Sequence, residues 1–415
     1  MIKAESSGFE QRLKAEASID LSVVIVNFKV ALYTVQCVES VLAAKGDLTL
    51  EVIVVDNASP DASVAVLREA FPADQFPQIH IIANPRNIGF GRANNIAVEQ
   101  ALGRYILFLN PDTLVAEETL AACMAAARNE ARLGAIGVMQ LNPDGTFAKE
   151  SRRGVPTPWN SLCKTLGLTR LLPHSRLFAG YYMGNLPRNV AAPIEIVSGA
   201  YMFCSREALR EVGLFDEEFF MYGEDIDLSY RLRRASFTNL YVPAPILHYK
   251  GESTRKTSFS YVHAFFGAML IFFRKHYRHT SIFLSVPIRC AILLKALLAI
   301  VHGQLKSLKN FMFPGSEASL GRHLYIGPNG KAFEKLAREY GLDFTIADLS
   351  AADVTQESVR RILPPSCRHI VFDASVFSRS FMLSFMQSSN HRLRLGIYYP
   401  ESETLITQSA AFSLR

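Results

Sequence analysis

The chain has 415 residues, of which 49% are apolar and 20% are charged, and this ordinary composition excludes a disordered, collagen-like or disulfide-framework protein. Its formal net charge of +6 is too small to indicate nucleic-acid binding. The basic excess lies in one apolar stretch, because residues 250–310 hold ten Lys or Arg and one acidic residue. The length favours two or three domains.

The first 20 residues are polar and have no apolar core, so we predict a loosely ordered tail over residues 1–20 and no signal peptide. The six cysteines show neither C-x-x-C nor zinc-ligand spacing. Free thiols of this kind are typical of a reducing compartment. We therefore expect the protein on the cytoplasmic side of the membrane.

Strands alternate with helices in the first third of the chain. Continuous β-branched runs predict strands buried on both faces, and the segments between them have helical spacing. The predicted strands are residues 21–27, 50–56, 78–83 and 105–109, and the predicted helices are residues 32–44, 62–71, 91–103 and 117–130. This alternation predicts an α/β fold with a mostly parallel, Rossmann-like sheet and helices on both faces.

The pattern weakens over residues 140–195, where Pro, Gly and Arg are frequent, and we interpret this stretch as surface loops around a cleft. Strands are predicted at residues 194–205 and 240–243, with a helix between them at residues 224–234. A second alternation begins near the end of the chain and predicts a small Rossmann-like α/β domain over residues 316–415.

Residues 259–315 are apolar and basic and are predicted to form amphipathic, membrane-associating helices. Within them, residues 281–301 are long enough to test as a membrane span. Helical spacing places four basic side chains on one narrow face, namely Lys295, His302, Lys306 and Lys309. We favour a helix that lies in the headgroup layer of the anionic inner leaflet. A membrane span and a helix packed on the protein itself remain alternatives.

Polar residues follow the predicted strands at the carboxyl ends, where open parallel sheets bind ligands. These residues are Asn27, Asp56, Asn57, Asn110 and Asp112. A glycine-containing loop, residues 87–95, precedes the fourth strand, and its backbone could approach an anionic ligand closely. Each strand end alone could be a helix cap. Four such ends in one half-domain indicate a ligand site.

These segments together resemble the family 2 glycosyltransferases, which have the GT-A fold. The resemblance covers residues 21–253 and rests on the ordered segments VVIVNF, ESV, VVDNAS, NPRNIGFGRANN, LNPDT, VSGAYMF, FDEEFFMYGEDIDLSYRLRR and HYKGEST. Within the family, the chain is most similar to the rhamnosyltransferase-like branch of bacterial polysaccharide biosynthesis. The resemblance implies a catalytic GT-A domain over residues 21–258.

The resemblance also implies the reaction. It predicts inverting transfer of a sugar, with rhamnose as a candidate, from a nucleotide-diphosphate donor to a lipid-linked or polysaccharide acceptor. With the basic amphipathic segment, this places the protein peripherally on the cytoplasmic face of the inner membrane. No nucleic-acid partner and no particular oligomeric state are predicted.

The resemblance assigns roles to individual residues. Nucleotide-sugar binding falls to Asn27, Asp56, Asn57, Asn87, Gly89, Phe90, Gly91, Asn94, Asn110 and Asp112. Ser198, Gly199 and Ala200 are assigned to the floor of the acceptor site. A divalent metal, Mg²⁺ or Mn²⁺, is assigned to Asp112 and His248. Asn110 stands where the family has the first acid of its Asp-x-Asp motif, so Asp112 supplies the carboxylate of that motif.

The acidic pair Glu224-Asp225 matches the catalytic acids of the family, and Asp225 is predicted to be the general base. Inverting transfer needs a carboxylate that removes a proton from the acceptor hydroxyl as its oxygen attacks. A local alternative is structural. Both acids, with Asp227, could be a first-turn cluster that the helix dipole favours, with Arg231, Arg233 and Arg234 as ion-pair partners on a solvated face.

Two other function classes remain open from the sequence. A non-catalytic glycan- or nucleotide-binding scaffold is supported by the loss of an acid at Asn110. A nucleotidyltransferase would need a glycine-rich first loop with a basic residue, and after the first strand the chain supplies only Lys29. Metal-dependent nucleotide binding would separate the transferase from the scaffold.

Overall fold

The computed structural model describes residues 18–165, 167–250, 259–277, 322–349, 352–364, 366–389 and 393–414. The strands of the first sheet, in chain order, are β1 (Leu21–Asn27), β2 (Leu50–Asp56), β3 (Ile79–Ala83), β4 (Tyr105–Leu109), β5 (Thr113–Val115), β6 (Leu133–Leu141), β7 (Ala192–Pro193), β8 (Tyr201–Ser205) and β9 (Thr238–His248). The helices around it are α1 (Ala31–Ala43), α2 (Ser63–Ala70), α3 (Phe90–Gln100), α4 (Thr119–Asn129), α5 (Pro158–Thr165), α6 (Leu168–Leu171), α7 (Arg206–Val212), α8 (Glu224–Arg234) and α9 (Phe259–His276).

The first sheet has the order β3-β2-β1-β4-β8-β6-β9-β5, and β7 pairs with β9 outside this path. Strands β1 to β4 pair in parallel, and β6 and β9 continue in the same direction, whereas β5, β7 and β8 run against them. The mostly parallel α/β fold predicted from the sequence is therefore confirmed. Its predicted strands 21–27, 50–56 and 105–109 match β1, β2 and β4.

Both faces of the central strands are buried, which explains their continuous apolar sequences. Val23 and Ile25 of β1 pack in one apolar cluster, and Val24 and Val26 pack in a second cluster on the other face. This alternation follows from the two-residue period of a strand. Helices α1 and α4 cover the first face, while α3 and α8 cover the second.

One predicted strand is shorter than expected. Residues 194–205 were expected to form one strand, but β8 begins only at Tyr201. The preceding residues 197–200 leave the sheet, where Gly199 donates its N–H to the side chain of Asp225 over 2.9 Å. The predicted strand was too long because Ile194, Ile196 and Val197 are buried in the core without being part of the strand.

A second sheet follows the first. Its strands are β10 (Arg322–Ile326), β11 (Phe344–Ala347), β12 (Cys367–Asp373), β13 (Arg394–Tyr399), β14 (Thr404–Ile406) and β15 (Ala411–Ser413), and its helices are α10 (Gly330–Glu339), α11 (Gln356–Ile362) and α12 (Arg379–Ser388). The order is β11-β10-β12-β13-β14-β15, parallel over the first four strands and antiparallel at the end. We call residues 322–414 the C-terminal unit.

The C-terminal unit packs against the β5–β9 edge of the first sheet. Leu114, Leu247 and Tyr249 share one buried apolar cluster with Met382 and Met386 of α12. This edge carries the loop after β4 and the end of β9, both of which contribute to the site described below. The packing therefore lies directly behind that site.

The membrane helices predicted at residues 259–315 fall largely outside the described residues. The described portion includes α9, whose C-terminal turn carries Arg274, Lys275 and His276. Among the described helices, none has the length and apolar character needed to cross a bilayer. The segment 281–301, tested above as a span, is outside the described residues.

Candidate active site

A cavity of about 340 Å³ opens at the carboxyl ends of the central strands. The register explains its position, because Asn27 of β1 lies beside Asp56 of β2, and β4 ends next to them. Twelve of the predicted site residues line this cavity: Asn57, Asn87, Gly89, Phe90, Asn110, Asp112, Ser198, Gly199, Ala200, Glu224, Asp225 and His248. Residues far apart in the sequence are thus brought to one space.

Four predicted residues do not line the cavity. Asn27 and Asp56 are buried behind it, and Asp56 Oδ2 accepts hydrogen bonds of 2.7 Å from Asn27 Nδ2 and from Ser59 Oγ. Gly91 and Asn94 lie within α3, packed in the protein interior. Nucleotide-sugar binding was predicted for all four residues, and for these residues it stays a prediction.

Asn57 organises the loop that precedes α3. Its Nδ2 donates to Asn87 Oδ1 over 3.0 Å, and its Oδ1 accepts from the N–H of Ile88 over 3.2 Å. Gly89 follows with a φ of 89°, and a Cβ there would lie 2.7 Å from the carbonyl oxygen of Phe220. This position accordingly requires glycine. The N–H of Phe90 also donates to the carbonyl of Phe220 over 2.8 Å, which holds the loop against the cavity wall.

Asp112 and His248 form a pair at the sheet edge. The antiparallel pairing of β5 and β9 sets Thr113 opposite His248, which brings His248 Nε2 within 3.3 Å of Asp112 Oδ1. Asn110 Nδ2 lies 3.4 Å from the same nitrogen. Burial opposes ionisation of Asp112, but His248 and two backbone N–H groups outweigh it, so the pKa of Asp112 is below its ordinary value.

The donor chemistry of this pair fits a divalent cation. A carboxylate oxygen and an imidazole nitrogen face each other at the cavity, and both are established metal ligands. The buried Nδ1 of His248 has no hydrogen-bond partner among the described residues. In the part of the chain that the structure describes, no group of three or more His, Cys, Asp or Glu side chains is arranged to hold a metal ion. A cation here would need further ligands from a substrate or from water.

The acidic pair lies at the first turn of α8, opposite the metal-type pair. Asp225 Oδ2 accepts from Arg153 Nη2 and from the N–H of Gly199, the latter over 2.9 Å. Arg153 Nη2 also donates to the carbonyl of Val197 over 3.0 Å. Burial opposes the charge of Arg153, but Asp225 outweighs it and raises the pKa of the guanidinium. Asp225 therefore joins three wall segments of the cavity.

Glu224 is in a different electrostatic situation. Its Oε2 is buried and finds no hydrogen-bond partner in the described portion of the chain. Burial, together with the neighbouring charge of Asp225, raises the pKa of Glu224 to about 8. Two adjacent carboxyl groups thus differ strongly in environment, as is common in active sites.

Asp227 belongs to the structure of α8 rather than to the cavity. Its carboxylate is fully buried. It lies 2.7 Å from Arg231 Nε, 2.8 Å from Lys275 Nζ and 2.7 Å from His276 Nε2. Burial opposes its charge, but the hydrogen bonds from His276 and Lys275 and the charge of Arg231 outweigh it and lower the pKa of Asp227 to about 2. The structural interpretation of the acidic cluster therefore holds for Asp227, which anchors α9 beside the cavity.

The anchored α9 supplies an apolar wall that sequence reasoning did not assign to the site. Its cavity-lining residues are Phe265, Ala268, Met269, Phe272 and Phe273. The aromatic pattern after residue 260 was noticed, but it was attributed to a membrane helix. The apolar wall stands opposite the polar loops, so the cavity has two chemically distinct sides.

Two polar residues of the cavity were also missed. Arg153 was part of a stretch read as loops, and its pairing with Asp225, 72 residues away, has no local signal. Gln140 of β6 is 1% exposed and lines the cavity. Neither side-chain atom of Gln140 has a partner within the described ranges. A buried amide without partners costs stability and is suited to a ligand hydroxyl.

Comparison with known proteins identifies the class of the first domain. Residues 22–213 match the family model described as "Glycosyl transferase family 2". The matched segment, somewhat less than half of the chain, is a domain of the glycosyl transferase family 2 type.

Curated relatives agree with this family. An N-acetylglucosaminyl-diphospho-decaprenol L-rhamnosyltransferase of Mycobacterium tuberculosis is 28% identical over 249 residues, which are 57% of this chain and 75% of that protein. A low-salt glycan biosynthesis hexosyltransferase of Haloferax volcanii is 28% identical over 219 residues, which are 52% of this chain and 62% of that protein.

Solved structures include a mannosyltransferase of Pyrobaculum calidifontis in complex with GDP-Man and Mn²⁺. It has a TM-score of 0.43 and 17% identity, and the match covers 74% of this chain and 82% of that chain.

Proposed function

We propose that the protein is an inverting, metal-dependent transferase that moves a sugar from a nucleotide-diphosphate donor to a lipid-linked or polysaccharide acceptor. One observation carries this proposal: a single cavity joins the Asp112–His248 pair to the Glu224–Asp225 pair. Glycosyl transfer needs both functions, one for the leaving diphosphate and one for the attacking hydroxyl. Bacterial surface-glycan synthesis is the proposed setting.

The donor is proposed to bind along the polar side of the cavity. The loop held by Asn57 and Asn87 would close over the nucleotide and its sugar, with Asn110 beside the diphosphate. Asn27 and Asp56 hydrogen-bond to each other and to Ser59 behind the cavity. The name of the mycobacterial relative supports an L-rhamnosyl group as the transferred sugar.

Asp112 and His248 would hold the divalent cation, Mg²⁺ or Mn²⁺. When bound, the cation supplies positive charge for the developing negative charge of the diphosphate leaving group. The protein contributes the orientation of the two ligands, because the β5–β9 pairing fixes their separation.

Asp225 is the proposed general base. The acceptor would lie over Ser198, Gly199 and Ala200, with its hydroxyl near the carboxylate. Asp225 removes the hydroxyl proton as the oxygen bonds to the anomeric carbon and the bond from that carbon to the diphosphate breaks. Arg153 and the N–H of Gly199 orient the carboxylate for this step.

The lipid-linked acceptor places the reaction at a membrane surface. We propose a peripheral location on the cytoplasmic face of the inner membrane. The basic apolar sequence of residues 259–315 supports this location through its composition. The acceptor named for the mycobacterial relative is also a lipid diphosphate.

A donor screen by thermal shift tests the proposal. Thymidine-, uridine- and guanosine-diphosphate sugars are compared with and without Mn²⁺, on the wild type, on Asp112→Ala and on the exposed control Asp47→Ala. A ligand at a hundredfold its dissociation constant adds about 2.7 kcal/mol to stability. We expect a metal-dependent shift for one donor that Asp112→Ala loses and Asp47→Ala keeps.

The scaffold alternative rests on Asn110, which replaces an acid of the metal motif. It predicts nucleotide binding that is indifferent to Mn²⁺ and no product with any acceptor. If a product forms, proton NMR distinguishes inversion from retention. Inversion gives a product whose anomeric configuration is opposite to that of the donor. Binding without metal dependence, combined with absent transfer, would replace the transferase proposal by the scaffold.

A further inference from the structure

Residues 156–190 expose an unusual concentration of apolar side chains beside the cavity, and we call this segment the α5–α6 patch. Six of the eleven large apolar side chains that are exposed in the described residues belong to it: Trp159, Leu162, Leu171, Leu172, Leu177 and Val190. Leu171 is 74% exposed and Leu177 is 59% exposed. Apolar side chains concentrated in this way mark an interaction surface rather than ordinary surface variation.

The helix α5 turns its large apolar side chains toward solvent. Trp159 and Leu162 are three residues apart and therefore share one face of the helix. Trp159 Nε1 donates to the carbonyl of Leu177 over 2.9 Å, which brings the chain after α6 to this face. The ring of Trp159 also lies 6.2 Å from that of Phe178. The small Cys163 is buried instead. This arrangement is the reverse of a helix that packs its apolar face on a core.

The charge of the patch identifies the partner. Residues 156–190 contain four Lys or Arg and neither Asp nor Glu. Arg170, Arg176 and Arg188 are exposed among the apolar side chains. Tryptophan and leucine interspersed with arginine are the composition of a surface that enters the headgroup region of an anionic bilayer.

The patch is attached to the wall of the active-site cavity. Tyr181 lines the cavity, and Lys164 of α5 lies with its Nζ 3.6 Å from the centre of the Tyr181 ring. Any surface that receives the patch is consequently brought near the cavity mouth. Phe220, which is 58% exposed, lines the same cavity and adds to the apolar surroundings of this region.

We propose that the α5–α6 patch docks on the surface of an anionic phospholipid bilayer, with Trp159 and its neighbouring leucines at the level of the headgroups. This is a second membrane contact, separate in sequence from residues 259–315. Its use, presenting the cavity to a lipid-linked acceptor, rests on the proposed function. The docking itself rests on exposure and charge alone.

The chain contains a single tryptophan, so Trp159 is an intrinsic probe within the patch. Full-length protein is titrated with vesicles of phosphatidylethanolamine and phosphatidylglycerol, with and without bromine on the acyl chains. We expect a blue shift of the emission and strong quenching by the brominated lipid. Both signals should weaken at high salt and on phosphatidylcholine vesicles, because the exposed arginines then lose their anionic partners.

The double variant Leu171→Ser, Leu177→Ser tests the apolar part. Partition onto anionic vesicles should fall by roughly tenfold, since both side chains leave water on docking. The matched control is Ile362→Ser with Val376→Ser, which alters two exposed apolar residues of the C-terminal unit. It should partition like the wild type. All four side chains are exposed, so both double variants are expected to fold, and circular dichroism checks this.

Two outcomes overturn the proposal. The first is sedimentation with vesicles while Trp159 stays unshifted and unquenched, because another surface then makes the contact. The second is equal binding to neutral and anionic vesicles. Donor binding and transfer to a short acceptor in detergent are measured separately, so failure of the proposed function is distinguishable from failure of the docking.

Discussion

Arg153 and Asp225 form a buried ion pair across the cavity wall, between a loop after β6 and the first turn of α8. Each side chain is 13% exposed, so the pair is shielded from solvent screening but open to the cavity. The guanidinium of Arg153 also donates a hydrogen bond to the carbonyl of Val197. The pair thus fixes the proposed base relative to the proposed acceptor floor.

Replacing Arg153 by Met should lower kcat roughly 10- to 100-fold, because a misplaced base loses proton-transfer geometry. The dissociation constant of the donor should change little, since the hydrogen bonds of Arg153 go to the proposed base Asp225 and to the carbonyl of Val197. Steady-state kinetics and donor titration measure the two quantities. The exposed Arg234→Met serves as the control. Equal loss of donor affinity and kcat would show that Arg153 supports the whole site instead.

Replacing Gln140 by an apolar residue should make the protein more stable and less active. Its buried amide has no partner in the described residues, so Gln140→Met should raise the free energy of unfolding by about 1 kcal/mol. The same variant should lower kcat/KM about tenfold, because a substrate hydroxyl loses its hydrogen bond. Urea denaturation and initial rates test the two halves. A more stable variant with full activity would remove Gln140 from the site.

The raised pKa of Glu224 predicts that the free energy of unfolding depends on pH. Its folded pKa of about 8 lies above the unfolded value of 4.5, so the folded state binds more protons between these two values. The contribution of Glu224 to the free energy of unfolding is fully present below pH 4.5 and is lost as the pH rises toward 8.

At pH 9, Glu224→Gln should be more stable than the wild type by about 2–4 kcal/mol, and near pH 4 the two should be equal. Urea unfolding at several pH values measures the difference. The exposed Glu339→Gln is the control and should show no such trend. A constant difference across the pH range would mean that Glu224 is ionised in the folded protein.

The fold was predictable where burial on both faces left a continuous apolar signal. Strands β1, β2 and β4 are of this kind, and the sequence places them to the residue. Strands β5 and β6 were missed because short or glycine-containing segments have no clear period. The start of β8 was misplaced because buried core residues look the same in a strand and in a loop.

The candidate site was predictable where the residues follow strands, since parallel strands end at a common edge. The prediction did not separate residues that line the cavity, such as Asp112, from residues behind it, such as Asp56. That distinction depends on side-chain partners, here Ser59 and Asn27. The position of Arg153 depends on tertiary contacts and has no local pattern, and the apolar pattern of α9 does not distinguish a cavity wall from a membrane helix.

Glu117 links the first sheet to helix α12 of the C-terminal unit. Its Oε1 accepts from the N–H of Arg379 over 2.9 Å and its Oε2 from that of Ser380 over 2.8 Å, so it caps α12 from the first sheet. Burial opposes its charge, but the hydrogen bonds from Ser380 and Arg379 outweigh it and lower the pKa of Glu117.

Glu117→Gln should therefore lower the free energy of unfolding by about 1 kcal/mol at pH 7. The lowered pKa means that this stability is present above the unfolded pKa of 4.5 and is lost as the pH falls through the folded value. The difference between variant and wild type should accordingly shrink below pH 4, whereas the exposed Glu69→Gln should show no difference at either pH.

The same variant should also affect the proposed metal pair. Leu114 and Leu247, which flank Asp112 and His248, pack in the apolar cluster that includes α12. Looser docking of α12 gives these strands more freedom, so Mn²⁺ affinity should fall severalfold while donor binding without metal is unchanged. Isothermal titration measures both. Unaltered Mn²⁺ affinity in a destabilised Glu117→Gln would show that β5 and β9 hold the pair without the C-terminal unit.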